Sequence, residues 1–246
     1  MGSVQELEKV RDQLKATLAE CNTVLTEKGV DTAADLASVP ERIAGIEAAG
    51  DDLFQYATNA DFLFNGATFP DGYELTLNLP NIAESANRLV RFSKGLKKVT
   101  LKGNKNNNAI GLQYAFDSAK PLEIVDATEW GAGGLKPTYF NSAFSSSPVH
   151  TILGEIDCSA LVNVNGTFSS ALALKEIRIK AGTLARALSL GHSSLLSDES
   201  IQSIIDGLAD LSGQTAQTIT FHPSIVSGRL TDEQRLQILY KNWNVD

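Results

Sequence analysis

The side chains of this 246-residue chain with most nucleophilic, acid–base or metal-ligating capacity are His150, His192, His222, Cys21 and Cys158. Their spacing assembles no familiar constellation. The histidines are far apart, and no Gly-x-Ser-x-Gly elbow supplies a nucleophile. His192 in Gly191-His-Ser-Ser194 stands beside hydroxyls, but nothing orients it as a base, and a turn histidine is the simpler reading. Gly131-Ala-Gly-Gly134 lacks the Gly-Lys-Ser/Thr ending of a phosphate loop and the Gly-x-Gly-x-x-Gly spacing of a dinucleotide turn. No His-Glu-x-x-His or aspartate-rich calcium loop is present. Two cysteines in segments of different character make neither a disulfide framework nor a thiolate zinc site. The expectation is a non-enzyme with no catalytic residue, no metal and no cofactor.

Binding chemistry is better represented. Trp130 and Tyr139 bracket the glycine-rich stretch within Glu129 to Phe140, where exposed aromatics would stack on a sugar or anchor a protein contact. Core packing of one or both is the alternative. A second set comes from stacked strands, whose alternate residues line one outer surface. Aligning the strands gives the outward columns Thr76, Thr100, Asp126, Leu153, Arg178, Thr220 and Asn78, Lys102, Thr128, Glu155, Lys180, His222. Asp126, Thr128, Arg178 and Lys180 are the candidates there for hydrogen bonding to a glycan or a polar protein patch, against the alternative of a merely solvated sheet face.

The elements that would position these residues recur. Phe92, Phe116, Phe144 and Phe168 each introduce a short apolar string, at spacings of 24, 28 and 24 residues. A strand with one apolar face cannot bury it alone, but stacking the next strand about 4.8 Å away covers it. Six rungs are expected: Leu75 to Leu79, Leu96 to Leu101, Leu122 to Ala127, Val149 to Gly154, Leu174 to Ile179 and Ile219 to Phe221. Aromatics from Leu53 to Phe69 would cap the front. Helices opening at Ser197-Asp-Glu-Ser200 and at the capping box Thr231-Asp-Glu-Gln234 would cap the back.

Ahead of the repeats, Leu18 and Leu25 at one heptad seam position and Leu7 and Leu14 at the other predict a coiled coil, or one amphipathic helix lying on the rest of the chain. Residues 1–52 carry five Lys and Arg against eleven Asp and Glu, and the hydrophobic period changes near Gly50, so a boundary belongs there. The predicted domains are a helical oligomerisation segment over 1–50 and a capped repeat domain over 51–246. A net charge of −8 argues against a partner held by phosphate neutralisation, so no nucleic acid is expected. The longest uncharged run, Cys158 to Leu174, is broken by Ser, Asn and Gly, so no membrane span is expected either. Met1 to Glu6 shows neither a basic head nor an apolar run, so no signal peptide is visible; a leader trimmed away beforehand stays open.

The Ala-Phe-x-x-Ser/Ala units, with Leu/Val-x-x-Ile/Val after them, resemble the BspA-like leucine-rich repeats of bacterial surface proteins over about residues 73 to 184. The ending from Leu196-Ser-Asp-Glu-Ser-Ile201 through Leu230-Thr-Asp-Glu-Gln234 to Asn242-Trp243 is similar to the closing segment of repeat proteins from gut Firmicutes and their phages. Lys28-Gly29-Val30 and Pro40-Glu-Arg-Ile43 resemble the helical lead of phage tail or baseplate proteins. The family's Cys after Ala-Phe is Ser or Ala here, and no cell-wall anchor motif is present. The resemblance implies an α+β protein: a helical coiled-coil stalk, then a leucine-rich-repeat solenoid of parallel strands with a helical C-terminal cap. The implied role is a non-enzymatic component of a phage tail or baseplate that binds a host-surface glycan or protein. It would sit on the virion tail and form a homo-oligomer, a trimer favoured, through the N-terminal helix. The alternative is a secreted or surface-attached bacterial adhesin, extracellular or on the cell surface.

Overall fold

A computed structural model describes Ala19, Asn22, Thr23, Phe54 and residues 56–246. Of the expected 1–50 stalk Ala19, Asn22 and Thr23 alone are described, each helical, and its seam residues Leu7, Leu14, Leu18 and Leu25 lie outside the described residues. The chain divides into two units, Met1–Gln55 and Tyr56–Asp246.

Strands β1 (Thr68–Leu79), β2 (Lys94–Gly103), β3 (Ile124–Trp130), β4 (Gly134–Leu135), β5 (Thr151–Ile156) and β6 (Glu176–Ile179) form one parallel sheet. Its order is β1-β2-β3-β5, with β4 and β6 also paired to β5. A second parallel sheet joins β7 (Leu188–Leu190), β8 (Gln217–Phe221) and β9 (Trp243–Val245). Over residues 56–246 the α-helices are α1 (Asp198–Gly207), α2 (Pro223–Gly228) and α3 (Asp232–Tyr240), of 10, 6 and 9 residues.

This corrects the α+β expectation. Strands in parallel sheets dominate, no long N-terminal helical stalk is among the described residues, and the helices are too short to form a layer of their own. The placement of Ile219 to Phe221 is corrected as well. That segment belongs to the second sheet, between β7 and β9, rather than continuing the first.

The core follows from strand register. Leu75, Val99, Val125 and Ile152 are successive register partners across four strands, all essentially buried. Each inward residue is dried by its neighbours above and below, as parallel stacking requires. Opposite the sheet runs a second column: Phe64, Val90, Phe116, Phe144 and Phe168. The backbone N–H of each of the first four donates to the next coil, at the carbonyls of Leu89, Ala115, Ala143 and Thr167. Phe116 stacks on Phe144 with centroids 4.9 Å apart, and Phe144 on Phe168 at 5.7 Å.

Phe92 is not in this column. Val90 occupies the position, so the repeat steps are 26, 26, 28 and 24 residues, and Phe92 is 48% exposed. Phe92 aligns instead with Gly66, Ser118, Ser146 and Ser170, all at positive φ; Phe62, Arg88, Tyr114, Ser142 and Gly166 form a parallel left-handed column. A left-handed conformation strains non-glycine residues. Here it turns every second N–H toward the neighbouring coil. Arg88, Val90 and Phe92, for example, donate to the carbonyls of Gln113, Ala115 and Asp117.

The first sheet ends on hydroxyls rather than on another strand. The N–H groups of Ile177 and Ile179 in β6 donate to Ser200 Oγ and Ser203 Oγ of α1, each at 3.0 Å. An exposed edge of unpaired N–H groups templates aggregation, and α1 covers it. Helix α1 starts because the Ser197 side chain accepts from the Ser200 N–H, and α3 starts with a full Thr231/Gln234 capping box.

Candidate functional site

The 28-residue step from Phe116 to Phe144 carries the extra residues that shape the outer face. Strand β3 pairs with β5 from Ile124 to Asp126 and then leaves it. The chain stays on β2 as far as Trp130, turns at Gly131 to Gly133, and returns as β4 to pair with Glu155 and Ile156. The turn is held by backbone contact: a Cβ on Gly134 would stand 1.8 Å from the Glu155 carbonyl oxygen. On the other side β5 bulges, because Thr151 and Glu155 pair with Glu176 and Arg178, four residues against two. Gly154 at φ +92° makes that bulge possible.

Between the departing β3 and the bulged β5 lies a cleft of about 330 Å³, open to the outer face and lined by Thr128, Leu153, Glu155, Glu176 and Arg178, with Ile152 and Ile177 beneath. That is the small end of the roughly 300–1,000 Å³ usual for small-ligand sites. Leu153 is 39% exposed, an apolar surface in a polar rim. Among the described residues Arg178, Glu155 and Glu176 form no ion pair, although Arg178 and Glu155 are register partners. The Thr128 hydroxyl donates to Asp126 Oδ1 at 2.7 Å, which leaves its oxygen free to accept.

Asp126 is tied behind this rim by Lys98 at 2.8 Å. Partial burial raises its carboxyl, but the hydrogen bonds from Lys98 and Thr128 and the Lys98 charge outweigh that and hold it below the ordinary value. Asp157 behaves alike: partial burial raises it, and hydrogen bonds from Ser159 and Lys180 bring it lower. Lys180, 2.9 Å from Asp157, is raised by that hydrogen bond and charge. It lines a second, much smaller hollow of about 30 Å³ with Asn107, Lys136 and Asp157.

Of the sequence candidates, Thr128 and Arg178 meet in the cleft, Asp126 supports Thr128 from behind, and Lys180 stands to one side, paired. Trp130 needs correction. It is 1% exposed at the end of β3, register partner of Gly103, so it is a core residue and offers no surface for stacking. The Gly-rich stretch that follows it is an added turn and strand, β4. Tyr139 is 48% exposed but does not line the cleft. Leu153 and Glu155 stand in the outward columns read from the sequence without being chosen as binding candidates, and Glu176 stands in neither column. The signal was the lone Gly154 inside a strand pattern, which marks a bulge.

His150 Nδ1 lies 2.8 Å from Thr151 Oγ1 and its Nε2 lies 3.9 Å from Glu123, outside the cleft lining. Cys158 is buried, and burial together with the Asp157 charge pushes its thiol up to about 12. No group of three His, Cys, Asp or Glu among the described residues is placed to hold a metal, and no described helix is long and apolar enough to cross a membrane. The chain matches no protein-family model, no curated protein and no solved structure.

Proposed function

We propose that this chain is a non-enzymatic recognition component that binds a host-surface glycan or protein in the cleft between β3 and β5. The carrying observation is the coexistence there of an unpaired guanidinium, two carboxylates and a hydroxyl around an exposed leucine. Hydroxyl-rich rings present donors, acceptors and an apolar C–H face, and this rim complements all three. The setting is a phage tail or baseplate, on the strength of the flanking segments that resemble such proteins; a secreted or surface-attached bacterial adhesin is the second reading. Self-association into a trimer belongs to the tail setting, and light scattering on the full chain measures it: a monomer points to the adhesin.

The test is binding of the full chain to a panel of neutral oligosaccharides. Arg178→Ala should weaken the strongest interaction tenfold or more, about 1.4 kcal/mol, with an unchanged melting temperature. Tyr139→Ala should leave it unchanged. Binding indifferent to Arg178 would remove the cleft from the account.

A further inference from the structure

Residues 88–120 hold eight lysines and arginines against one acid, Asp117, a balance of +7 in a chain of −8. The fold gathers several of these charges at the corner where the Phe side turns into β2. Arg88 lies between the rings of Phe62 and Tyr114, its guanidinium carbon 4.8 and 5.5 Å from their centroids. Arg91 lies between Phe92 and Tyr114 at 4.2 and 4.6 Å, and its Nε donates to Asp117 Oδ2 at 2.7 Å. Two residues beyond Phe92, Lys94 is the parallel bridge partner of Lys120.

Three of the eight cations are neutralised, Arg91 by Asp117, Lys98 by Asp126 and Lys102 by Glu129. Arg88, Lys94 and Lys120 form no ion pair among the described residues. Like charges on facing strand positions destabilise a sheet. An acidic chain that keeps two lysines opposite each other, one of them two residues from the 48%-exposed Phe92, tolerates a cost that an anion would relieve. A guanidinium stacked between rings is held in one plane, ready for bidentate contact with a carboxylate or phosphate.

We infer that Arg88, Arg91, Phe92, Lys94 and Lys120 form a binding site for an acidic carbohydrate, sugar rings bearing carboxylate or phosphate groups. The aromatic faces take the C–H faces of the sugar, Arg88 the first acid group, and the Lys94–Lys120 pair the next. Charge distribution favours this over nucleic acid. Outside 88–120 the chain carries −15, so a strand with a phosphate at every nucleotide would run from the corner onto repelling surface. The site lies at the corner that leads into β2, apart from the cleft at β3 to β6, and stands or falls separately from it.

The full chain is titrated with polygalacturonate, poly(glycerol phosphate), neutral dextran and a single-stranded oligonucleotide of matched charge. At least one of the two acidic polymers should bind, dextran should not, and the affinity should fall about tenfold between 50 and 200 mM salt. Which acidic polymer binds decides between carboxylate and phosphate. Arg88→Lys and the double variant Lys94→Gln/Lys120→Gln should each weaken binding tenfold or more. The double variant should melt at the same temperature or higher, since it removes a like-charge contact. No binding to either acidic polymer, equal binding by the variants, or an oligonucleotide bound as tightly as the polymers would each overturn the inference.

Discussion

Phe116 and Phe144 stack with ring centroids 4.9 Å apart and planes 14° from parallel, although 28 residues separate them in sequence. That contact joins two coils across the step that contains the extra strand β4. Phe144 also stacks on Phe168 and meets Phe140 edge-on at 5.7 Å, so it is central to the buried column. Phe144→Ala should cost about 3–5 kcal/mol and lower the melting temperature by about 10 °C, read by circular dichroism. A loss under about 1 kcal/mol would mean that the column contributes little.

The serine cap on β6 makes a second prediction. Ser200 and Ser203 have no partner strand to imitate except through their hydroxyls, which accept the Ile177 and Ile179 N–H groups. Ser200→Ala/Ser203→Ala leaves both donors unsatisfied at about 1–3 kcal/mol each. Hydrogen exchange should accelerate at Ile177 and Ile179 first, and the double variant should aggregate on storage. Unchanged exchange at these two amides would show that α1 covers the edge sterically, without the hydroxyls.

Trp130 and Tyr139 should separate cleanly in stability measurements. Trp130→Ala removes a buried indole and should cost about 3–5 kcal/mol, whereas Tyr139→Ala, at a half-exposed ring, should stay within about 1 kcal/mol. Chemical denaturation of both variants decides it. Similar losses for the two would place the tryptophan at the surface after all.

Acid should weaken the fold through Asp126 and Asp157. Both carboxyls are held below their ordinary value in the folded chain, so their contribution is complete above that value and disappears as pH falls through the folded one. The melting temperatures of the wild type and Asp157→Asn should differ at neutral pH and converge as acidification protonates Asp157 in the folded chain. A gap that does not narrow on acidification would assign the effect of Asp157→Asn to packing. Lys180 has the opposite sign: raised in the folded chain, it stabilises at neutral pH and loses that contribution only in strong alkali.

Some of this was legible from residue types alone. Strand positions such as Leu96 to Leu101 and Leu122 to Ala127 fall on β2 and at β3 because alternating apolar residues admit one inward face. The phase of the coils was misread at Phe92, since an exposed phenylalanine at positive φ carries the same letter as a buried one, and Val90 gives no aromatic signal. Strands β7 and β9 are three residues each and present too short a period to detect. The helical expectation for residues 1–50 comes from heptad spacing, and of that span Ala19, Asn22 and Thr23 alone are described, each in a helical conformation. The cleft was visible only in part. Arg178 and Thr128 follow from strand alternation, but the β4 return and the β5 bulge that part the strands depend on close approach at Gly134 and Gly154.

Hydrogen exchange of the full chain with and without the tightest-binding neutral oligosaccharide tests the cleft most directly, since a neutral sugar leaves the basic corner at Arg88 out of play. The account predicts slowed exchange at residues 126–134, 151–156 and 176–180, and no change at α1 to α3. Failure of every neutral oligosaccharide to bind, or protection confined to the C-terminal helices, would contradict it.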